Sequence, residues 1–148
     1  DAKDDRLTAA QLLATIDRLG LDYEAKEEAF RRVAFNVIAA NCDDHSKNQS
    51  FLLREGGRWE LAPAYDVTYA HNPNGEWTFQ HLMSVNGKFA DISRDDLLSV
   101  AERFAIGTAP AVLRQVGNAI RSWPDFANQA SVSIAEVSRI RTHHQMLE

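Results

Sequence analysis

Cysteine is nearly absent from this chain: Cys42 stands alone among 148 residues. No internal disulfide framework can form, and a reducing, cytoplasmic setting fits that usage. No apolar run approaches the roughly 20 residues that a membrane span requires. No secretory signal pattern is visible at the start. Positive charge is in the minority, with 16 Lys and Arg against 21 Asp and Glu, for a net charge of -5. Affinity for phosphate backbones comes largely from Lys and Arg, so direct nucleic-acid binding is not expected. Internal repeats, low-complexity segments and linkers are also missing.

What remains is ordinary in a useful way. With 45% apolar and 25% charged residues, the composition is ordinary for a soluble globular protein and argues against disorder. The length suits one domain over residues 1–148, enough for a real hydrophobic core. The first residue is Asp1 rather than Met, which reads as a fragment, and Leu147-Glu148 reads either as a vector remnant or as a natural helix end.

Local signals divide the chain into helices around a small irregular β region. After a charged lead-in over residues 1–6, Thr8 is placed to cap a helix through about Leu19, with Leu12, Leu13, Ile16 and Leu19 on one stripe and Gly20 as the stop. Asp22 can cap a longer helix to about Asn41, increasingly apolar toward its end. Ser50–Leu53 and Arg58–Leu61, separated by Glu55-Gly56-Gly57, read as a β-hairpin ended by Pro63. The stretch from Val67 to about Thr78 has loop chemistry, and a second small hairpin is expected to turn at Asn86-Gly87. Ser93 and Asp96 form a capping-box pattern, Thr108 is placed to cap the next helix with Pro110 in its first turn, and Ser133 opens the last helix after a break at Trp123-Pro124. The fold class expected is mainly α with a small β-hairpin region.

The chemistry-bearing segment lies between the second helix and the hairpin. Residues 43 to 48 read Asp-Asp-His-Ser-Lys-Asn, and Asp66 follows Asn48 by eighteen residues. Protein kinases place a catalytic Asp five residues before a metal-binding Asn, with a second metal-binding Asp further along. Asp43 and Asn48 have that gap of five. Asp43 is therefore the candidate general base, with Asn48 and Asp66 as oxygen ligands for Mg²⁺. Lys47 could stabilise the charge of a transferring ATP phosphate. His45 is expected to fix the loop geometry or touch a phosphate.

Taken singly, each of these is an ordinary loop residue, since Asp and Asn are common in turns. Their order gives them weight: base, amide, hairpin, second carboxylate, long loop. A metal-dependent hydrolase using Asp43, Asp44 and His45 is the competing assignment, although adjacent residues seldom point at one ion. Cys42 reads as a small buried residue, and His143-His144 as surface. Trp59, Tyr65 and Tyr69 are expected to pack the hairpin beneath Asp66, Trp77 and Phe79 to close the loop onto the body, and Trp123 and Phe126 to lie in the core.

The segment Phe35–Phe51 resembles the catalytic segment of HipA-like serine/threonine kinases, and Leu61-Ala62-Pro63-Ala64-Tyr65-Asp66 is similar to their metal-binding segment. Ser84-Val85-Asn86-Gly87-Lys88 and the helix after Ser93 follow the same course. The resemblance implies the C-terminal lobe of a two-lobed kinase-like fold, with the nucleotide-binding lobe outside this chain. It implies Asp43 as base, Asn48 and Asp66 as Mg²⁺ ligands, His45 and Lys47 at loop positions, and ATP as phosphoryl donor. It further implies a protein substrate, a HipB-like DNA-binding antitoxin as partner, a toxin–antitoxin role linked to bacterial persistence, and little activity from this lobe alone. The alternatives are a non-catalytic helical interaction module, or a lobe of a lipid or small-molecule kinase. The second is disfavoured by the acidic charge and the lack of a basic amphipathic helix.

Overall fold

Thr8 starts the first helix as its sequence suggests. Its hydroxyl accepts from Gln11 N, and the Gln11 side chain accepts from Thr8 N, so two otherwise orphaned donors are satisfied at the start of α1 (Ala9–Arg18). The structure, a computed structural model, describes residues 6–147; the expected lead-in before Arg6, and Glu148, lie outside the described residues. Gly20 sits at φ +69 and lets Leu21 N donate to Ile16 O, closing α1 with a left-handed turn.

Asp22 caps α2 (Tyr23–Ile38) by accepting from Ala25 N. This helix is the spine of the fold and packs against both α1 and α4 (Ala109–Arg121). Phe30, Val33, Val37 and Ile38 from α2 meet Leu12, Leu13 and Ile16 from α1 in one buried core. Each such side chain contributes roughly 1.5–3 kcal/mol of transfer free energy. The helix ends three residues before the expected Asn41. Ala40 adopts φ +56, and Asn41 N donates back to Asn36 O at 2.9 Å, the bond that usually marks a glycine-terminated helix. An alanine in that conformation carries no stop signal in the sequence. The last helical carbonyl, Ile38 O, accepts from Gln145 N at 2.9 Å, so the C-terminal segment finishes the helix.

The hairpin forms as expected, though shorter. Strands β1 (Phe51–Leu53) and β2 (Trp59–Leu61) pair antiparallel with Phe51 opposite Leu61 and Leu53 opposite Trp59. At Asn86-Gly87 the expected hairpin reduces to one turn: both residues have positive φ, and a single bridge joins Val85 and Lys88. Ser93 and Asp96 make the expected capping box at the start of α3 (Arg94–Arg103).

Thr108 precedes α4 without capping it. Its hydroxyl instead donates to Glu27 Oε2 at 2.6 Å, tying α4 to the start of α2. Then α5 (Trp123–Gln129), with Pro124 in its first turn, and Ser133-capped α6 (Ile134–Arg141) complete the fold. Among the described residues, no helix is long and apolar enough to cross a membrane.

Several aromatic placements differ from expectation. Trp77 is 67% exposed, Phe79 49% and Phe126 58%, so none of the three closes onto the core. Trp123 is half-buried, with its indole N–H donating to Val137 O. Trp59 and Tyr65 are exposed, and Tyr69 faces α6 rather than the hairpin. His143 and His144 are half-buried, not surface residues: His143 contacts Tyr69 and His144 meets the Trp123 ring edge-on.

Candidate functional site

The site is built on the C-terminal end of α2. Cys42 N donates to Ala70 O, and Ala70 N donates to Ala40 O, so the chain leaving Asp66 is stitched to the start of the 43–48 loop. A 3₁₀ turn at Ser46–Asn48 then bends the chain into β1. The hairpin returns it to Ala62, whose carbonyl accepts from Arg32 on α2 at 2.9 Å. Arg32 is itself held by Glu28 at 3.0 Å. The residues before Asp66 are thus anchored to the same helix that delivers Asp43.

Adjacent acidic residues in the loop have opposite environments. Asp44 is 3% exposed and accepts from His81 at 2.8 Å, Leu82 N at 2.7 Å and Met83 N at 3.0 Å. It fastens the loop to the segment that crosses beneath it. Asp43 is partly exposed, and its Oδ1 lies 3.8 Å from His45 Nε2, beyond hydrogen-bond reach. The Asp43 carboxylate is open to an incoming group, whereas the oxygens of Asp44 are engaged. His45 Nδ1 is buried without a partner. Lys47 extends into solvent, and its backbone carbonyl accepts from Tyr65 Oη at 2.5 Å. Beside the loop, burial and then the Asp44 charge push the Cys42 thiol up to about 12, so the side chain stays protonated and inert.

Asn48 and Asp66, eighteen residues apart, come together: Asn48 Nδ2 donates to Asp66 Oδ2 at 3.0 Å and to Asp43 O at 3.0 Å. With its amide nitrogen doubly used, Asn48 keeps Oδ1 without a hydrogen bond among the described residues. Asp66 keeps its second carboxylate oxygen. These are hard oxygen donors of the kind Mg²⁺ takes beside substrate phosphates, so the residues present fit that ion. Asp66 also sits at φ +53, in the left-handed region that non-glycine residues enter at a cost and that clusters at functional sites. Its backbone carbonyl accepts from Asn41 Nδ2 at 3.3 Å.

A cavity of about 200 Å³ with mainly apolar walls opens beside this pair, between Phe35 and Asn36 of α2 and Tyr65–Val67. Asn41 Oδ1 and Gln49 Oε1, on residues that line it, are buried without partners.

All five residues singled out from the sequence therefore lie in one neighbourhood. Asn48 touches Asp66 and the Asp43 backbone, His45 lies beside Asp43, and the Lys47 backbone is held by Tyr65. Among the described residues, no three His, Cys, Asp or Glu side chains gather as a metal-ligand cluster, so Asp43, Asp44 and His45 do not form the hydrolase set considered as the alternative. Sequence reasoning missed His81 as the partner of Asp44, Tyr65 as the tie to Lys47, and Asn41 as the brace on Asp66. Nothing in their local spacing signals these roles.

The arrangement is that of a mainly helical domain presenting an open carboxylate and a paired amide and carboxylate on one loop system. The model of the HipA-like C-terminal domain family matches residues 1–133, and the chain belongs to that family. Comparison with curated proteins and comparison with solved structures give no match.

Proposed function

We propose that this domain is the catalytic C-terminal lobe of a protein serine/threonine kinase, acting with a separate nucleotide-binding lobe and taking ATP as phosphoryl donor. The observation that carries the reading is the 3.0 Å contact between Asn48 and Asp66, formed beside an unencumbered Asp43. Asn48 Oδ1 and the Asp66 carboxylate would hold Mg²⁺, which supplies charge neutralisation on the phosphates. Asp43 orients the acceptor hydroxyl and takes its proton. The acceptor oxygen forms the new bond to the γ-phosphorus as the bond to the bridging oxygen breaks, and ADP leaves with that electron pair. Lys47 would place its ammonium near the transferring phosphoryl group.

Family membership supports the kinase class, and through it a role as toxin of a toxin–antitoxin system whose partner is a HipB-like DNA-binding antitoxin. The cytoplasm, where ATP and protein substrates are present, is the compartment that fits. The test is transfer of labelled phosphate from ATP to protein serine or threonine by a protein carrying this domain with its nucleotide-binding lobe. Asp43→Asn and Asp66→Asn are each expected to lower turnover by orders of magnitude. Turnover unchanged in both variants overturns the assignment.

A further inference from the structure

The segment leaving Asp66 is held from an unexpected direction. The family match ends at residue 133, before α6 begins. Yet Arg139 of α6 and His143 just beyond it both reach Tyr69, three residues past Asp66. Arg139 Nη1 donates to Tyr69 Oη at 3.2 Å, with its guanidinium carbon 5.2 Å from the ring centroid. His143 Nδ1 lies 2.7 Å from the same hydroxyl, and its ring stacks on Tyr69 at 5.9 Å. Tyr69 Oη donates to His71 O at 3.1 Å. A phenol has one proton and two lone pairs. With the proton on His71 O and one lone pair taken by Arg139, the remaining lone pair requires His143 to carry its proton on Nδ1. The hydroxyl is then fully satisfied.

The same tail is fastened at its other contacts. Gln145 N donates to Ile38 O, the His143 ring meets His71 edge-on at 4.8 Å, and Met146 and Leu147 pack against the core. The tail therefore touches both the end of the helix that delivers Asp43 and the strap that follows Asp66.

We propose that Ile134–Leu147 is a clamp that sets the position of the Asp66 segment, with Tyr69 as the positioning residue it grips. Tyr69 does not touch the reacting atoms. It acts by holding Ala70 in its bridge to Ala40 and Cys42, which fixes the chain direction three residues after Asp66. The link to metal binding rests on the reading of Asp66 as a ligand; the clamp itself does not.

The test uses this chain with Tyr69→Phe, which removes only the hydroxyl, His143→Ala, and His143→Gln, which keeps an N–H donor. Ile134→Ser, at an 81% exposed position of the same helix, is the control. Amide hydrogen exchange is expected to accelerate about tenfold at Ala70 and Cys42 in Tyr69→Phe and His143→Ala, less in His143→Gln, and not in the control, with α2 amides unaffected in all four. Nitrogen NMR of His143 should show the Nδ1–H tautomer in the native chain and its loss in Tyr69→Phe. Mn²⁺ affinity, read by paramagnetic broadening at Asp66, is expected to weaken several-fold in Tyr69→Phe. Unchanged exchange at Ala70 and Cys42 overturns the clamp. Faster exchange with undiminished Mn²⁺ affinity overturns its coupling to the site. If Asp66→Asn binds Mn²⁺ as well as the native chain does, the ligand reading of Asp66 fails and exchange alone decides the clamp.

Discussion

Asp44 and His81, thirty-seven residues apart, meet at 2.8 Å in the interior, both 3% exposed. Asp44 also receives two backbone N–H donors, so this pair fastens the 43–48 loop to the chain beneath it. Its neighbour Asp43 is left open. The division of labour between two adjacent, chemically identical side chains is a matter of what each one faces.

That contrast is measurable. Asp44→Ala strands His81 and two buried N–H groups, and it is expected to cost about 3–5 kcal/mol in urea denaturation. Asp43→Ala removes no buried partner and should stay within about 0.5 kcal/mol of the native chain. Equal costs for the two would contradict the assignment of Asp44 as the anchor.

Asp66 carries strain that its function would explain. Asp66→Gly relieves the left-handed backbone at φ +53 while losing the hydrogen bond from Asn48. The two effects are each on the order of 1 kcal/mol, so thermal stability should match the native value within about 1 kcal/mol. Mn²⁺ binding should nevertheless disappear. A variant that keeps both stability and Mn²⁺ would remove Asp66 from the ligand set.

The acid limb of stability should depend on Asp96. Lys88 at 2.7 Å, followed by Asn86 and Ser93, holds this carboxyl well below the usual carboxylate range. A group depressed in the folded state contributes its stability above its unfolded pKa, about 4 for Asp. That contribution is lost as pH falls from there toward the folded value. Asp96→Asn should therefore cost on the order of 1–2 kcal/mol at pH 7, with the gap to the native chain narrowing below pH 4. A pH-independent gap in denaturant melts would show that the charge is not what matters.

Trp77 and Phe79 stand in solvent rather than in the core. Trp77→Ser and Phe79→Ser should each leave the unfolding free energy within about 0.5 kcal/mol of native. Phe30→Ala, at a position 1% exposed, should cost about 3–5 kcal/mol in the same measurement. A large loss from Trp77→Ser would restore the expected role of closing the loop onto the body.

Reading aromatics as core residues failed here because hydrophobicity is a one-way guide: apolar side chains also populate surfaces. Reading α2 to Asn41 failed because the stop is Ala40 in a conformation normally signalled by glycine. Thr108 looked like a cap, but Glu27 on another helix offers its hydroxyl a charged acceptor. In contrast, Thr8, Asp22, Ser93 and Ser133 cap the helices where the sequence places them. Those caps depend only on residues three positions away.

Local order was legible in the same way. The gap of five between Asp43 and Asn48, the hairpin and the following Asp66 are properties of the chain as written, and they carry the resemblance and the choice of candidate residues. The tertiary structure alone decided that Asn48 touches Asp66, that Asp44 is sealed against His81 while Asp43 is open, and that Arg139 and His143 grip Tyr69. These contacts join residues 18, 37, 70 and 74 positions apart. Periodicity and capping act over one helical turn, whereas such long-range pairs depend on how the elements pack around the buried face of α2.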